Sequence, residues 1–200
     1  EAFGGGDIGT QTAGVPFNIR ITARDADNQQ IIDYVGNASI TSNANLSAGE
    51  TTANFTGGLL SSHTVTLELA GEGKTLTASS GDKSGTSNVF IVLRGPINYY
   101  TIVANPDPIT GDQRPVIAGV PFSVKVVVYD EFDNIKTNYD GPNNVLWATT
   151  AGTSPNGRAR IIPANGEQHF TAGEATIGGF TFFRAHQEDV TITITDGPTS

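Results

Sequence analysis

Residues 13–36, AGVPFNIRITARDADNQQIIDYVG, return as residues 118–141, AGVPFSVKVVVYDEFDNIKTNYDG. A shift of 105 aligns the two stretches without a gap, and 8 of the 24 positions are identical: Ala13, Gly14, Val15, Pro16, Phe17, Asp25, Tyr34 and Gly36. The other apolar positions mostly exchange like for like, Ile19 with Val124 and Ile21 with Val126. A second block, residues 55–70, aligns with residues 170–185 at a shift of 115. Tandem copies of one unit of about a hundred residues imply two domains of the same fold. The expected boundaries are 1–95 and 96–200, joined by the short linker Leu93-Arg-Gly-Pro-Ile97.

Each AGVPF motif opens a strand. Phe17, Ile19, Ile21 and Ala23 alternate with Asn18, Arg20, Thr22 and Arg24, and Phe122, Val124, Val126 and Val128 repeat the apolar set. This period of two marks a strand with one buried face and one wet face. Pro16 and Pro121 sit at its start, where no ladder donor is needed. Asp25-Ala-Asp-Asn and Asp130-Glu-Phe-Asp-Asn then supply turn chemistry. Further strands are expected at Ala38–Ser42 and Asn143–Trp147. Others follow around Val65, Leu67 and Leu69, matching Phe180, Phe182 and Arg184, and around Leu76 and Ala78, matching Ile192 and Ile194. No segment carries a capped period of 3.6 residues. The fold expected is all-β: two tandem immunoglobulin-like sandwiches with Greek-key connections.

Composition narrows the function classes. A net charge of −9 speaks against nucleic acid or an anionic membrane surface as partner. No apolar run reaches the length of a membrane-spanning helix. The chain has no Cys, which rules out disulfides and thiolate chemistry. It also has no Met, so residue 1 reads as a processed or excised start. An acidic, Cys-free, Thr- and Gly-rich β chain points to an extracellular, cell-surface setting.

The AGVPF motif, the DADN or EFDN turn, Tyr34 and Tyr139 with their following glycines, and SGTSNVFIV at residues 84–92 resemble the tandem immunoglobulin-like repeats of large bacterial and archaeal surface proteins. These are repeats of the S-layer, adhesin or filament type, with filamin repeats as more distant relatives. The resemblance implies a spacer, stalk or assembly unit whose partners are neighbouring repeats or other copies of itself. A shared fold names no single function.

Aligning the copies exposes a difference at the two ends. Copy two opens with an apolar strand at Tyr99–Ala104, whose counterpart in copy one falls before residue 1 at a shift of 105; on that shift residues 1–8 are the loop that follows it. Copy one closes with residues 88–92, and their counterpart falls beyond Ser200. Copy one is thus expected to lack its first strand and copy two its last. The chain is then an excerpt of a longer array, or neighbouring subunits supply the strands by complementation, or the glycine-rich start takes another route.

Candidate sites are sparse. Asp25 and Asp27, with Asp33, and Asp130 and Asp133, with Glu131 and Asp140, gather near equivalent loops as calcium candidates, although aspartate at a strand end is also ordinary turn usage. Asn37, Asn45 and Asn54 each begin an Asn-X-Ser/Thr sequon. His63, His169 and His186 form no ligand pattern, although His186 lies close to Glu188 and Asp189. Trp147 is read as core, with sugar stacking as its other role, and Phe183 is the exposed aromatic candidate. No nucleophile motif or paired acid and base appears, so no enzyme is expected. The leading expectation is a non-enzymatic structural or interaction protein, and the alternative is a carbohydrate-binding or spacer module of a larger secreted enzyme or adhesin.

Overall fold

A computed structural model describes residues 1–185 and 190–197. The chain divides into two compact units, Glu1–Pro96 and Ile97–Ser200. Unit 1 contains β1 (Gln11–Thr12), β2 (Phe17–Thr22), β3 (Ser39–Ser42), β4 (Leu46–Ala48), β5 (Leu59–Leu67), β6 (Gly71–Lys74), β7 (Leu76–Ser80), β8 (Lys83–Thr86) and β9 (Phe90–Leu93). Unit 2 contains β10 (Tyr99–Ala104), β11 (Phe122–Tyr129), β12 (Gly141–Thr149), β13 (Gly166–Phe170), β14 (Glu174–Phe180) and β15 (Ile192–Asp196).

In unit 1 the sheets run β2-β5-β4, β3-β7-β8 and β1-β9-β6; in unit 2 they run β10-β11-β14 and β13-β12-β15. The strands of each unit are divided among these sheets, and each unit is an immunoglobulin-like sandwich. The alternation in the sequence sets the faces. Val124, Val126 and Val128 are fully buried along β11, and Ile19 is buried along β2. Leu69 departs from its expected place: it lies beyond the end of β5 and is 41% exposed.

The internal repeat holds at atomic detail. In unit 1 the Gly58 N–H donates to the Tyr34 carbonyl, and the Gly58 carbonyl accepts from the Ala23 N–H. In unit 2 the Gly173 N–H donates to the Tyr139 carbonyl, and the Gly173 carbonyl accepts from the Val128 N–H. Both glycines have positive φ, 73° and 82°. A Cβ on Gly58 would lie 2.0 Å from the Ile31 carbonyl oxygen, and one on Gly173 would lie 2.8 Å from that of Lys136. Backbone crossing of this kind admits only glycine. Tyr34 meets Phe55 edge-on at 5.2 Å, as Tyr139 meets Phe170 at 4.8 Å.

Ten additional residues in unit 2 explain why the shift grows from 105 to 115. They fall between β12 and β13, within residues 150–165. Asn165 accepts a hydrogen bond from the Trp147 N–H at 2.8 Å, and Ile161 bridges Thr181.

Candidate functional site

Two grooves stand out, one in each unit, at different strand positions. In unit 2, β10 pairs antiparallel with β11 over six residues, from Tyr99 opposite Tyr129 to Ala104 opposite Val124. Tyr100, Ile102 and Ala104 pack against the core. In unit 1 the equivalent edge, on β2, is covered at one end only. Ala2 bridges Ile19, and Glu1 and Arg20 exchange two hydrogen bonds, Arg20 N–H to the Glu1 carbonyl at 3.0 Å and the Glu1 amino group to the Arg20 carbonyl at 3.2 Å.

Residues 1–2 therefore hold the places of Val103 and Ala104. This corrects the expectation that residues 1–8 are the following loop: that loop is three residues shorter in unit 1, and the gap-free shift misplaced it. Beyond Arg20 the edge of β2 borders a groove of about 420 Å³. Its floor is apolar, with Tyr34, Ile40, Phe55, Leu76 and Ala78, and its far wall is β8. Among the described residues β8 pairs with β7 alone.

Unit 2 opens elsewhere. In unit 1, β9 runs between β1 and β6 with Phe90 and Val92 pointing inward, 4% and 1% exposed. Gly14 N–H donates to the Leu67 carbonyl beside it, and Gly119 N–H donates to the Phe182 carbonyl at the equivalent place. There unit 2 has a groove of about 710 Å³, bordered by Ile102, Val116, Phe182, Val190 and Ile192. Each groove thus opens where the other copy carries a strand.

The individually named candidates resolve as follows. The Asp25 Oδ1 accepts the N–H groups of Asp27 and Gln29, and the Asp130 Oδ1 accepts those of Phe132 and Asn134, so both carboxylates close their own turns. Asp130 is fully buried, with Asn134 Nδ2 donating to its Oδ2 at 3.0 Å. Asp133 Oδ1 accepts from the Tyr99 hydroxyl at 2.5 Å, which pushes that phenol up to about 12. Asp27, Asp33, Glu131 and Asp140 join no shared carboxylate set. Among the described residues, no three His, Asp or Glu side chains gather as a metal ion would need.

Asn37, Asn45 and Asn54 are all exposed. His63 Nε2 lies 2.8 Å from the Gly49 carbonyl oxygen, and His169 is exposed on β13. His186, with Glu188 and Asp189, lies outside the described residues.

Phe183 is not the open platform expected. It is half-buried, and the Arg158 guanidinium sits 3.9 Å from its ring centroid. Arg158 belongs to the loop that unit 2 adds, which no alignment of the two copies could place. Trp147 is 5% exposed and meets Phe180 edge-on at 5.2 Å, which makes it core.

A second polar feature was not read from the sequence. Tyr139 donates to Asp196 Oδ1 at 3.0 Å, and the Tyr100 hydroxyl donates to the same atom. Burial pushes the Tyr139 phenol up to about 12, and burial together with the bond to Asp196 raises Tyr100 further still. This clasp fastens β10 to β15. In unit 1 the Tyr34 hydroxyl donates to Ser80 Oγ at the equivalent place, at 2.8 Å, and Ser80 faces the groove.

No family model matches the chain, and no curated protein does. Among solved structures, the D0-D1 domain of Intimin is similar at 14% identity, over 96% of this chain and 88% of that one, with a TM-score of 0.32.

Proposed function

We propose that this chain is a non-enzymatic structural and interaction module of the cell surface, part of an array, adhesin stalk or filament. On this reading its open sheet edges are completed by strands from neighbouring subunits. The observation that carries it is the pair of grooves, each at a position where the sister unit holds a strand. An unpaired edge beside an apolar groove favours added strands: main-chain bonds supply affinity, and alternate side chains supply specificity. Head-to-tail contacts of this kind generate open assemblies. The acidic, Thr- and Gly-rich β composition fits an extracellular setting. The three exposed sequons fit a glycosylated surface there.

The carbohydrate-binding alternative loses its two aromatic candidates, since Trp147 is buried and Phe183 is covered by Arg158. Negative-stain microscopy with light scattering on the same sample tests the proposal. Filaments or concentration-dependent oligomers are expected. A monodisperse monomer up to millimolar concentration would overturn assembly through these edges.

A further inference from the structure

The loop that unit 2 adds between β12 and β13 contains both asparagines of the chain that precede a glycine, Asn156 before Gly157 and Asn165 before Gly166. We propose that Asn156 is a site of spontaneous covalent modification, converted to aspartate and isoaspartate by its own backbone, and that Asn165 is protected from the same reaction. The site is independent of whether the chain assembles.

The chemistry needs only water as co-reactant. The Gly157 backbone nitrogen, on losing its proton to hydroxide, attacks Asn156 Cγ and forms a C–N bond. The Cγ–Nδ2 bond breaks, and Nδ2 leaves as ammonia after taking a proton from water. Water then opens the five-membered imide. Opening at Cγ gives aspartate; opening at the main-chain carbonyl gives isoaspartate, in which the chain runs through Cγ. One water enters, one ammonia leaves, and nothing is oxidised or reduced. A side chain on the attacking residue obstructs ring closure, which is why a following glycine singles out these two asparagines.

Three observations favour Asn156. Residues 155–160 are all exposed and lie outside any strand, so water and hydroxide reach the reacting bond. A Cβ at Gly157 would meet nothing within 4 Å, so the attacking nitrogen has open space beside it. The Ser154 hydroxyl, itself buried, donates to Asn156 Oδ1 at 2.5 Å. That oxygen gains charge as Cγ becomes tetrahedral, and a donor already held on it lowers the barrier. One contact opposes the attack, the hydrogen bond from the Gly157 N–H to the Ser154 carbonyl at 2.9 Å. In a solvent-exposed turn such a bond opens locally, without unfolding the sandwich.

Asn165 is held differently. Its Oδ1 accepts from the Trp147 N–H at 2.8 Å, which fixes the carboxamide against β12. Gly166 begins β13 and pairs with Val145. Ring closure there requires the end of β13 to leave its ladder. Conversion of Asn156, by contrast, adds a negative charge two residues from Arg158, which covers Phe183.

The test incubates the full chain at mildly alkaline pH. Tryptic peptides carrying residues 156 and 165 are followed by mass spectrometry, and isoaspartate is scored with an isoaspartate-specific methyltransferase. Asn156 should convert at least tenfold faster than Asn165, and its rate should rise with pH. Gly157→Ala should slow it at least fivefold, in a chain whose Trp147 fluorescence shows unit 2 still folded. In denaturant the two sites should react at rates within about threefold of each other. A ratio below tenfold in the folded chain, or a rate that does not change with pH, would overturn the inference. So would a tenfold preference that persists in denaturant, because the fold would then select nothing. The comparison of the two sites in the unaltered chain decides the matter even if Gly157→Ala does not fold.

Discussion

Unit 1 and unit 2 share a corner, a pair of strand sequences and a tyrosine on phenylalanine, yet they are closed at different edges and filled differently. Unit 2 has β10 along the β11 edge, while unit 1 has only Glu1 and Ala2 along the β2 edge. Unit 1 has β9, and unit 2 has a groove in its place. The interiors follow suit. At the positions of Ser42, Val65 and Leu67, unit 2 carries Trp147, Phe180 and Phe182. Phe122 stacks on Phe180 at 5.6 Å and meets Phe182 edge-on at 5.1 Å, whereas its counterpart Phe17 reaches across to Phe90 of β9 at 6.3 Å. In unit 1 the inward positions Val65 and Leu67 are aliphatic and β9 brings Phe90 inward. Where that strand position is open, the aromatics come from the sheets themselves. Around the shared corner the two copies distribute aromatic volume differently.

The largest test of this contrast is a cavity. Phe180→Ala should cost unit 2 about 3–5 kcal/mol, and Val65→Ala at the matching place should cost unit 1 roughly half that, because fewer buried carbons are removed. Trp147 is the chain's one tryptophan, so its fluorescence follows unit 2 alone in a denaturant titration, while far-ultraviolet dichroism follows both units. Equal costs would mean that the aromatic core is not what stabilises unit 2.

The shared corner gives the next effect. Gly58→Ala and Gly173→Ala both force a Cβ onto a carbonyl at positive φ, at a cost on the order of 1–3 kcal/mol. The penalty should be greater at Gly58, where the approach is 2.0 Å rather than 2.8 Å. A reversed order in the two melting temperatures would mean that the unit 1 corner is the softer one.

A smaller effect separates the clasps. Tyr100→Phe removes one donor to Asp196 and should destabilise unit 2 by about 1 kcal/mol, with no change in unit 1. The clasp also makes unit 2 sensitive to alkali. Tyr139 is pushed up to about 12 by burial, above the value near 10 of an unfolded tyrosine. The folded state therefore binds this proton more tightly. Its contribution is complete below about pH 10 and is lost as the pH rises toward 12. The Tyr139→Phe chain should show a flatter decline in unit 2 stability over that window. The smallest effect is Arg158→Ala, which uncovers Phe183 and should cost about 0.5–1 kcal/mol in unit 2 alone.

Much of the architecture was legible because β-strand alternation and duplication reinforce each other. A pattern such as Phe122, Val124, Val126 and Val128 can bury only one face, and its recurrence 105 residues apart excludes coincidence. The offset between the copies also marked where each differs from the other. What escaped the reading depended on loops. The three-residue difference after the first strand position moved Glu1 and Ala2 from loop to ladder. The added loop brought Arg158 over Phe183. Asp25 and Asp130 are identical in sequence and both cap turns, yet one is exposed and the other fully buried, which no local pattern distinguishes.

The sequence by itself determined the tandem repeat, the all-β class and the inward set of each central strand, because these follow from periodicity and from comparison of the chain with itself. Only the tertiary structure decided that an apolar groove borders β2, that Arg20, Arg24 and Ser80 rim it, and that Tyr100 and Tyr139 meet on Asp196. These residues lie far apart along the chain, and the loops that carry them together obey no period.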